Sequence, residues 1–401
     1  MSKSRRKHSW RCCALTEAIT SLYIHIPFCA SKCFYCDFNS YVASEAVRAQ
    51  YVDDLIGELK NLKRWYSAER SVEPLQTIYV GGGTPTMLSA REFERIAEAI
   101  HGQFALASDL EWTVEANPGT TEPDILRAMK EMGVNRVSIG TQTFNETLLL
   151  SIGRLHSPEQ TRISVERAYA AGIKRVSLDL MLGLPDQTLV DVEDALSQAL
   201  ATGVSHVSAY GLKVEENTPF FSWEKKGFLH LPDEELQVAM YERVRERLID
   251  AGFLHYEVSN YAKPGEESRH NLTYWRNRPY FAAGAGAHGY TGEMRYENMR
   301  SLSAYHHACQ SGARPIEQEY PVSLQEAMEN EMMLGLRLTE GVSDRSFFER
   351  FQASIEQVFK PECERLLKLG VLTHRDGVWR IPEQHVEVAN EIYAEFVGIH
   401  T

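Results

Sequence analysis

The sequence predicts an α/β protein, built as a partial (β/α)6 barrel with a small C-terminal α+β domain that is winged-helix-like. Six short β-branched or aromatic runs alternate with helical patterns between residues 22 and 210. Such alternation with short connections means parallel strands and right-handed crossovers. Six units are fewer than the eight of a closed barrel, so the barrel is partial. A doubly wound open sheet is the alternative.

Residues that typically begin or end helices separate the predicted helices from the strands. Ser44 precedes a helical pattern over Glu45–Trp65, whose apolar face comprises Val47, Tyr51, Leu55, Leu59 and Leu62. Two further helices begin at capping boxes, and three end at glycines. The boxes are Ser89 with Glu92 and Ser157 with Gln160, and the glycines are Gly133, Gly172 and Gly203. The strands are Leu22–Ile26, Thr77–Val80, Glu111–Glu115, Arg136–Gly140, Arg175–Asp179 and His206–Tyr210.

Polar residues stand at or just after the end of every predicted strand. The carboxyl ends of barrel strands meet on one face, where such folds build their active sites. This placement of polar residues at the strand ends favours the barrel over the doubly wound sheet. The residues are Cys29–Cys36, Gly81–Thr84, Glu115, Gln142, Asp179 and Lys213.

The chain divides into four predicted regions. Residues 1–20 form a basic tail, 21–252 the barrel, 253–323 a connecting region rich in aromatics, and 324–401 the C-terminal domain. A helix over Asp233–Ala251 ends the barrel at Gly252. Helical patterns over Leu324–Leu338 and Ser343–Leu369 precede strands at Gly370–Thr373 and Val378–Ile381, around an Asp-Gly turn. Packing or docking is favoured over DNA binding for this domain.

Composition narrows the class of protein. The chain has 401 residues, 43% of them hydrophobic and 24% charged, which rules out wholesale disorder. A net charge of −13 argues against binding nucleic acid through its phosphates. Ser4-Arg5-Arg6 has the look of a twin-arginine signal, but Glu17 interrupts the apolar stretch that export requires. Seven unevenly spaced cysteines suit a reducing cytoplasm.

Three of those cysteines form a tight group. Cys29, Cys33 and Cys36 follow the first strand with the spacing C-x3-C-x2-C. Iron–sulfur clusters are normally held by four cysteines, so three would leave one iron free to bind a small molecule. A zinc site is the alternative, with His25 or Asp37 as the fourth ligand.

The cysteine spacing resembles that of radical S-adenosylmethionine (SAM) proteins. In that family the open iron of a 4Fe–4S cluster binds the amino and carboxylate groups of S-adenosylmethionine, which is cleaved to a 5′-deoxyadenosyl radical. Gly81–Thr84 would let backbone approach the methionine amino group. Glu115 and Asp179 suit ribose hydroxyls or the ammonium, and Arg154 suits the carboxylate. Internal salt bridges are the alternative for these charged residues.

The motifs also resemble the oxygen-independent coproporphyrinogen III oxidases and their relatives, from about residue 21 to the C-terminus. The matching stretches are 21–29, 81–86, 115–118, 138–144, 153–154 and 179–185. The resemblance implies a 4Fe–4S cluster on the three cysteines and S-adenosylmethionine contacts from nine residues. These are Tyr23, Tyr35, Gly82, Gly83, Thr84, Glu115, Gln142, Arg154 and Asp179.

One departure selects a branch of that family. The oxidases carry a further cysteine two residues after the third, and here that position is Phe38. The chain is therefore more similar to a branch of haem chaperones, which also carries His-Asn-x-x-Tyr-Trp. The motif stands here at residues 270–275, and it implies haem contacts from His270, Asn271, Tyr274 and Trp275. A structural loop is the alternative for the motif.

The leading hypothesis is thus a haem chaperone that delivers haem to respiratory cytochromes or other haem acceptors. The alternative is a coproporphyrinogen III oxidase that decarboxylates propionates by hydrogen abstraction, and a third is a radical enzyme on another substrate. The resemblance implies that the chaperone form can be a homodimer. It also implies a cytoplasmic protein that meets the inner face of the membrane only peripherally.

Overall fold

The computed structural model describes residues 17–66 and 71–398. Most of the predicted basic tail, with Cys12 and Cys13, lies outside the described residues. Among the described residues, no helix combines the length and the apolar character needed to cross a bilayer.

Six parallel strands form the centre of the main sheet, and they lie side by side in chain order. A doubly wound sheet reverses its strand order at a switch point. This sheet winds in one direction, so the partial barrel is confirmed and the doubly wound alternative is wrong. The strands are β1 (Ile19–Ile26), β2 (Val72–Gly82), β3 (Leu106–Ala116), β4 (Arg136–Gln142), β5 (Arg175–Leu182) and β6 (His206–Gly211).

Helices connect these strands, and both predicted capping boxes are present. The three predicted end glycines all have positive φ. Val47 is an error in the predicted apolar face of the first helix, because it is 40% exposed. The helices are α1 (Glu45–Tyr66), α2 (Ala90–Gln103), α3 (Pro123–Glu131), α4 (Glu146–Ser151), α5 (Pro158–Ala170), α6 (Leu189–Ala201), α7 (Pro219–Lys225) and α8 (Glu234–Asp250).

Strand alternation separates an apolar layer from a polar barrel interior. In β1, Leu22 and Ile24 belong to the main core together with the buried leucines of α1. Successive strand residues point to opposite faces. Ser21 and Tyr23 therefore lie on the other face, where Thr77 donates a hydrogen bond to Ser21 and Tyr23 stacks on Tyr79. The barrel interior is thus lined by polar and aromatic side chains.

Residues 253–323 extend the main sheet at both edges, which the sequence-based boundary at residue 252 does not anticipate. Strands β7 (Leu254–Glu257) and β8 (Asn260–Ala262) add antiparallel beyond β6, and β9 (Phe281–Ala283) pairs parallel with β1. Strands of three or four residues carry too little pattern to be found in advance. The region also contains α9 (Arg269–Trp275), α10 (Leu302–Gln310) and a separate sheet of β10 (His288–Tyr290), β11 (Met294–Asn298) and β12 (Ile316–Pro321).

The C-terminal domain has its own hydrophobic core, which includes Phe347 and Trp379. The single helical pattern predicted over Ser343–Leu369 is wrong, because Gln352 has a φ of 54° and a new helix begins at Lys360, with Pro361 in its first turn. The predicted hairpin is confirmed at Asp376-Gly377. The elements are α11 (Leu324–Gly335), β13 (Val342–Ser343), α12 (Asp344–Phe351), α13 (Ile355–Val358), α14 (Lys360–Leu369), β14 (Thr373–Arg375), β15 (Val378–Arg380) and α15 (Ala389–Ala394).

Candidate functional site

A cavity of about 570 Å³ opens at the carboxyl ends of the barrel strands. This volume lies within the range of small-molecule sites. The cavity collects residues from all six strand ends, as the register of polar residues predicts. Its wall includes Cys29, Cys33, Cys36, Tyr35, Gly82, Gly83, Thr84, Glu115, Gln142, Arg154, Asp179 and Lys213.

The cysteines lie on the cysteine loop, defined as residues 29–41 between β1 and α1. The loop is closed at its base, where the Cys29 N–H donates to Tyr41 O at 3.0 Å and the Tyr41 N–H donates to Pro27 O at 2.8 Å. Asn39 Nδ2 donates to the carbonyl oxygens of Ala285 and Arg300 at 3.0 and 3.1 Å. A distant part of the chain therefore holds the loop in place.

The thiols have polar neighbours that suit thiolate ligands. Thr84 Oγ1 donates to Cys29 Sγ at 3.6 Å, and Arg154 Nη1 donates to Cys33 Sγ at 3.7 Å. All three cysteines are free of disulfides. Burial raises the pKa of the Cys36 thiol to about 11, so ligation would release a proton. The donor set therefore fits a metal cluster.

The thiols line one wall of the cavity. Within residues 17–66 and 71–398, no three His, Cys, Asp or Glu side chains are close enough to hold one single metal ion. A 4Fe–4S cluster asks for a wider spacing, because each thiolate binds a different iron. His25, one candidate for a fourth zinc ligand, is buried with Nδ1 bonded to the Tyr23 hydroxyl and Nε2 bonded to Asn39 O. Asp37, the other candidate, is exposed at the cavity mouth.

The glycine turn, defined as residues 81–84 at the end of β2, packs against the backbone of residues 26–28 as well as lining the cavity. A Cβ on Gly83 would lie 2.7 Å from Phe28 O and 2.8 Å from Phe28 N. Gly83 N–H donates to Ile26 O at 2.9 Å, and Thr84 N–H donates to Phe28 O at 2.7 Å. The glycine at position 83 is therefore required for contact with the chain just before Cys29.

Two half-buried carboxyl groups face the cavity. Glu115 accepts hydrogen bonds from the Tyr79 hydroxyl at 2.8 Å and from Gly82 N–H at 3.0 Å. Burial raises the pKa of Glu115 to about 7, and nearby Asp179 also raises it. Asp179 accepts from Ser138 Oγ at 3.0 Å, and burial raises its pKa as well. Among the described residues neither carboxylate is in an ion pair, so the internal salt-bridge alternative is not supported for them.

Arg154 and Gln142 complete the wall. Arg154 donates to Asn117 Oδ1 at 2.5 Å and to Gly140 O, while its buried Nε has no hydrogen-bond partner in the described part of the chain. A buried donor left unpaired costs free energy unless a ligand or water satisfies it. Gln142 has a φ of 67° at a register shift in β4. Strained positions of this kind concentrate at functional sites.

Tyr23 lies outside this wall, and its hydroxyl donates to or accepts from His25 Nδ1 at 3.0 Å. Sequence reasoning left Tyr79, Asn117 and Ser138 unassigned, although all three line the cavity. Strand alternation could have identified Tyr79 and Ser138, because they occupy the same face as Glu115 and Asp179. Asn117 lies two residues after Glu115, within the stretch 115–118 that resembles the oxidase family.

The His-Asn-x-x-Tyr-Trp motif lies elsewhere, at the amino ends of the strands. It forms α9, and His270 is fully buried there. His270 Nδ1 bonds to Thr77 Oγ1 and Nε2 bonds to the Tyr274 hydroxyl, both at 2.8 Å. With both nitrogens occupied, His270 cannot ligate haem iron in this arrangement. The predicted haem contacts of His270, Asn271, Tyr274 and Trp275 therefore stay a prediction, and ligation through His270 would require the ring to give up one of these hydrogen bonds.

The barrel and the cysteine-lined cavity together define a class of protein, the radical SAM proteins. Residues 23–199 match the radical SAM superfamily, and residues 322–384 match the HemN C-terminal domain. The solved structure of coproporphyrinogen III oxidase (HemN) from Escherichia coli, a radical SAM enzyme, superposes with a TM-score of 0.83. It covers 96% of this chain and 92% of its own at 20% identity, which shows the shared fold.

Closer relatives define the family. Heme chaperone HemW of Bacillus subtilis (strain 168) is 40% identical over 379 residues, covering 94% of this chain and 99% of the relative. Heme chaperone HemW of Escherichia coli (strain K12) is 36% identical, covering 94% and 98%. Radical S-adenosyl methionine domain-containing protein 1, mitochondrial, of Mus musculus is 33% identical, covering 88% and 81%. This chain belongs to the HemW family of radical SAM proteins.

Proposed function

We propose that the protein is a haem chaperone, which binds haem and passes it to haem acceptor proteins. The observation that carries this proposal is the full-length similarity to proteins named heme chaperone, at 40% identity over 94% of the chain. The cavity supports it in one detail. Phe38 stands where the oxidases carry an additional cysteine, and its side chain is 62% exposed at the cavity wall.

The proposed cofactors are a 4Fe–4S cluster and S-adenosylmethionine, which membership of the superfamily implies. Cys29, Cys33 and Cys36 would hold the cluster. When bound, the cluster would supply the one electron that cleaves S-adenosylmethionine. Arg154, with its unpaired Nε, is suited to the methionine carboxylate, while Glu115 and Asp179 are suited to hydroxyl or ammonium donors.

The remaining wall residues have supporting parts in this proposal. Tyr35, Gly82, Thr84 and Gln142 line the same cavity and would contact the cofactor. Respiratory cytochromes are the proposed acceptors. A homodimer, with peripheral contact at the inner face of the membrane, remains part of the proposal.

The affinity for S-adenosylmethionine should increase with pH. The pKa of Glu115 is raised to about 7, so its carboxyl is mostly protonated at pH 6 and mostly charged at pH 8. The charged form is the better acceptor for ligand hydroxyl or ammonium donors. We expect roughly tenfold tighter binding at pH 8 than at pH 6, as follows from the titrating fraction.

Binding calorimetry on the anaerobically reconstituted protein measures this pH dependence. Glu115→Gln is the control, because it removes the titrating group and keeps the shape. An identical pH dependence in Glu115→Gln would assign the effect to another group.

The proposed function predicts haem retention without porphyrinogen decarboxylation. The anaerobically reconstituted protein is incubated separately with haem, and with coproporphyrinogen III plus S-adenosylmethionine. We expect a haem complex that survives gel filtration and transfers haem to an apo-cytochrome. We expect no decarboxylated product, because the chain lacks the oxidase-type cysteine. Absorbance spectra and product chromatography record the two arms. Decarboxylated product without haem retention would establish the oxidase instead.

A further inference from the structure

The His-Asn-x-x-Tyr-Trp helix α9 lies directly beneath the wall of the cavity. We propose that His270 is a positioning residue for S-adenosylmethionine binding, and that it acts through Tyr79 and Glu115. The inference rests on the proposed placement of S-adenosylmethionine against Glu115. The motif lies at the amino ends of the strands and would affect the cavity at their carboxyl ends through these two residues.

The first step is the anchoring of α9 under the barrel. Both carboxylate oxygens of the buried Glu111 accept from the start of the helix, Oε1 from His270 N–H at 3.0 Å and Oε2 from Arg269 N–H at 3.1 Å. A carboxylate at a helix N-terminus is favourable for hydrogen bonding and for the helix dipole. Arg175 Nη1 pairs with the same carboxylate at 3.0 Å. Helix α9 is therefore fixed to β3.

The second step is the orientation of the His270 ring. Thr77 donates its hydroxyl proton to Ser21, so its oxygen accepts from His270 Nδ1–H. Nε2 then accepts from the Tyr274 hydroxyl. Burial lowers the pKa of His270 to about 3, so the ring stays neutral in this one tautomer across physiological pH. The imidazole plane is thus held from both sides.

The third step is the contact with Tyr79. The two ring centroids are 5.3 Å apart with an interplanar angle of 30°, a stacked arrangement. Beyond the stack, the Tyr79 hydroxyl donates to Glu115 Oε1, and Glu115 Oε2 accepts from Gly82 N–H. The fixed imidazole therefore holds the Tyr79 ring in place by stacking, and the Tyr79 hydroxyl orients the Glu115 carboxylate at the cavity wall.

The far end of the helix is held by the C-terminal domain. The Arg337 guanidinium lies 4.6 Å from the Trp275 ring centroid and 5.1 Å from that of Tyr393. Arg350 Nη2 donates to Asn277 O at 2.7 Å. The domain thus fixes the C-terminal end of α9, as Glu111 fixes its start.

A double-mutant cycle on the full-length, anaerobically reconstituted protein tests the inference. Calorimetry measures the S-adenosylmethionine dissociation constant for wild type, His270→Ala, Tyr79→Phe and the double variant, and iron analysis checks the cluster. We expect each single change to weaken binding roughly tenfold, the typical size of one lost bond to a charged group. The double variant should bind S-adenosylmethionine no more weakly than the weaker-binding single variant, because both changes act through the Glu115 carboxylate. Additive losses would overturn the proposal.

Two further variants keep the result interpretable. Arg276→Ala removes an exposed ion pair with Glu340 at the end of the same helix, and it should leave the affinity unchanged. If His270→Ala does not fold, Tyr274→Phe takes its place, since it removes only the hydroxyl that donates to Nε2. An unchanged affinity in Tyr274→Phe would then overturn the proposal.

Glu115→Gln separates the inference from its basis. If Glu115→Gln leaves the affinity unchanged, the proposed S-adenosylmethionine wall is wrong and the inference falls with it. If Glu115→Gln weakens binding but His270→Ala does not, the wall stands and only the inference is overturned. Weakening in both, with non-additivity in the cycle, supports both.

Discussion

Replacing Cys29, Cys33 or Cys36 with alanine should abolish the 4Fe–4S cluster and the binding of S-adenosylmethionine with it. Three thiols are already one fewer than the usual set of protein ligands. In the described part of the chain no spare cysteine lies in the same loop, so no neighbour can replace a lost ligand. Iron and sulfide analysis after anaerobic reconstitution, with the visible absorbance of the cluster, measures the loss.

Cys309→Ala and Cys363→Ala are the matched controls. Neither residue lines the cavity, and Cys363 belongs to the separate core of the C-terminal domain. Both variants should keep the full iron content. An equal loss of iron in Cys309→Ala would contradict the three-ligand site.

Gly83→Val should remove both the cluster and the cofactor site, and this differs from the expectation that sequence alone supports. A glycine-rich turn beside a ligand suggests that a side chain would block only the ligand. In the structure, a Cβ at position 83 meets the Phe28 backbone at 2.7 and 2.8 Å, and that backbone cannot move without displacing Cys29. We therefore expect low iron content together with lost S-adenosylmethionine binding, by iron analysis and calorimetry.

Gly57→Ala provides the control for a glycine substitution as such. Gly57 lies inside α1, and a Cβ there meets nothing within 4 Å. Alanine in a helix is favoured over glycine by roughly 0.5–1 kcal/mol, so this variant should be as stable as wild type or slightly more so. Full iron content in Gly83→Val would show that the turn and the cysteine loop move independently.

The central barrel could be predicted because its signals are local. Each strand–helix unit has its own apolar period, and several of the helices begin at a side-chain cap, as at Ser89 and Ser157. The edges could not be predicted, because β9 owes its position to pairing with β1 from the other end of the chain. The break at Gln352 could not be predicted either, because Gln, unlike Gly, Asn or Asp, does not favour the left-handed backbone that it adopts here.

The cavity wall was predictable from the position of polar residues at strand ends, whereas the hydrogen-bond partners of the His-Asn-x-x-Tyr-Trp motif were not. His270 and Tyr274 have the chemistry of a haem site, but the sequence does not show which partners a histidine will meet. Thr77 and Glu111 come from strands more than a hundred residues earlier, and they bury the motif. Only tertiary structure distinguishes a ligand histidine from a hydrogen-bonded one.

The pairing of Leu22 with Phe281 also bears on how the protein is made. At a translation rate of roughly 5–20 residues per second, the outer edge of β1 stays unpaired for more than ten seconds while the ribosome synthesises the rest of the barrel. Asn39 reaches its partners Ala285 and Arg300 only after that. The cysteine loop therefore gains these contacts only after at least 300 of the 401 residues have been synthesised.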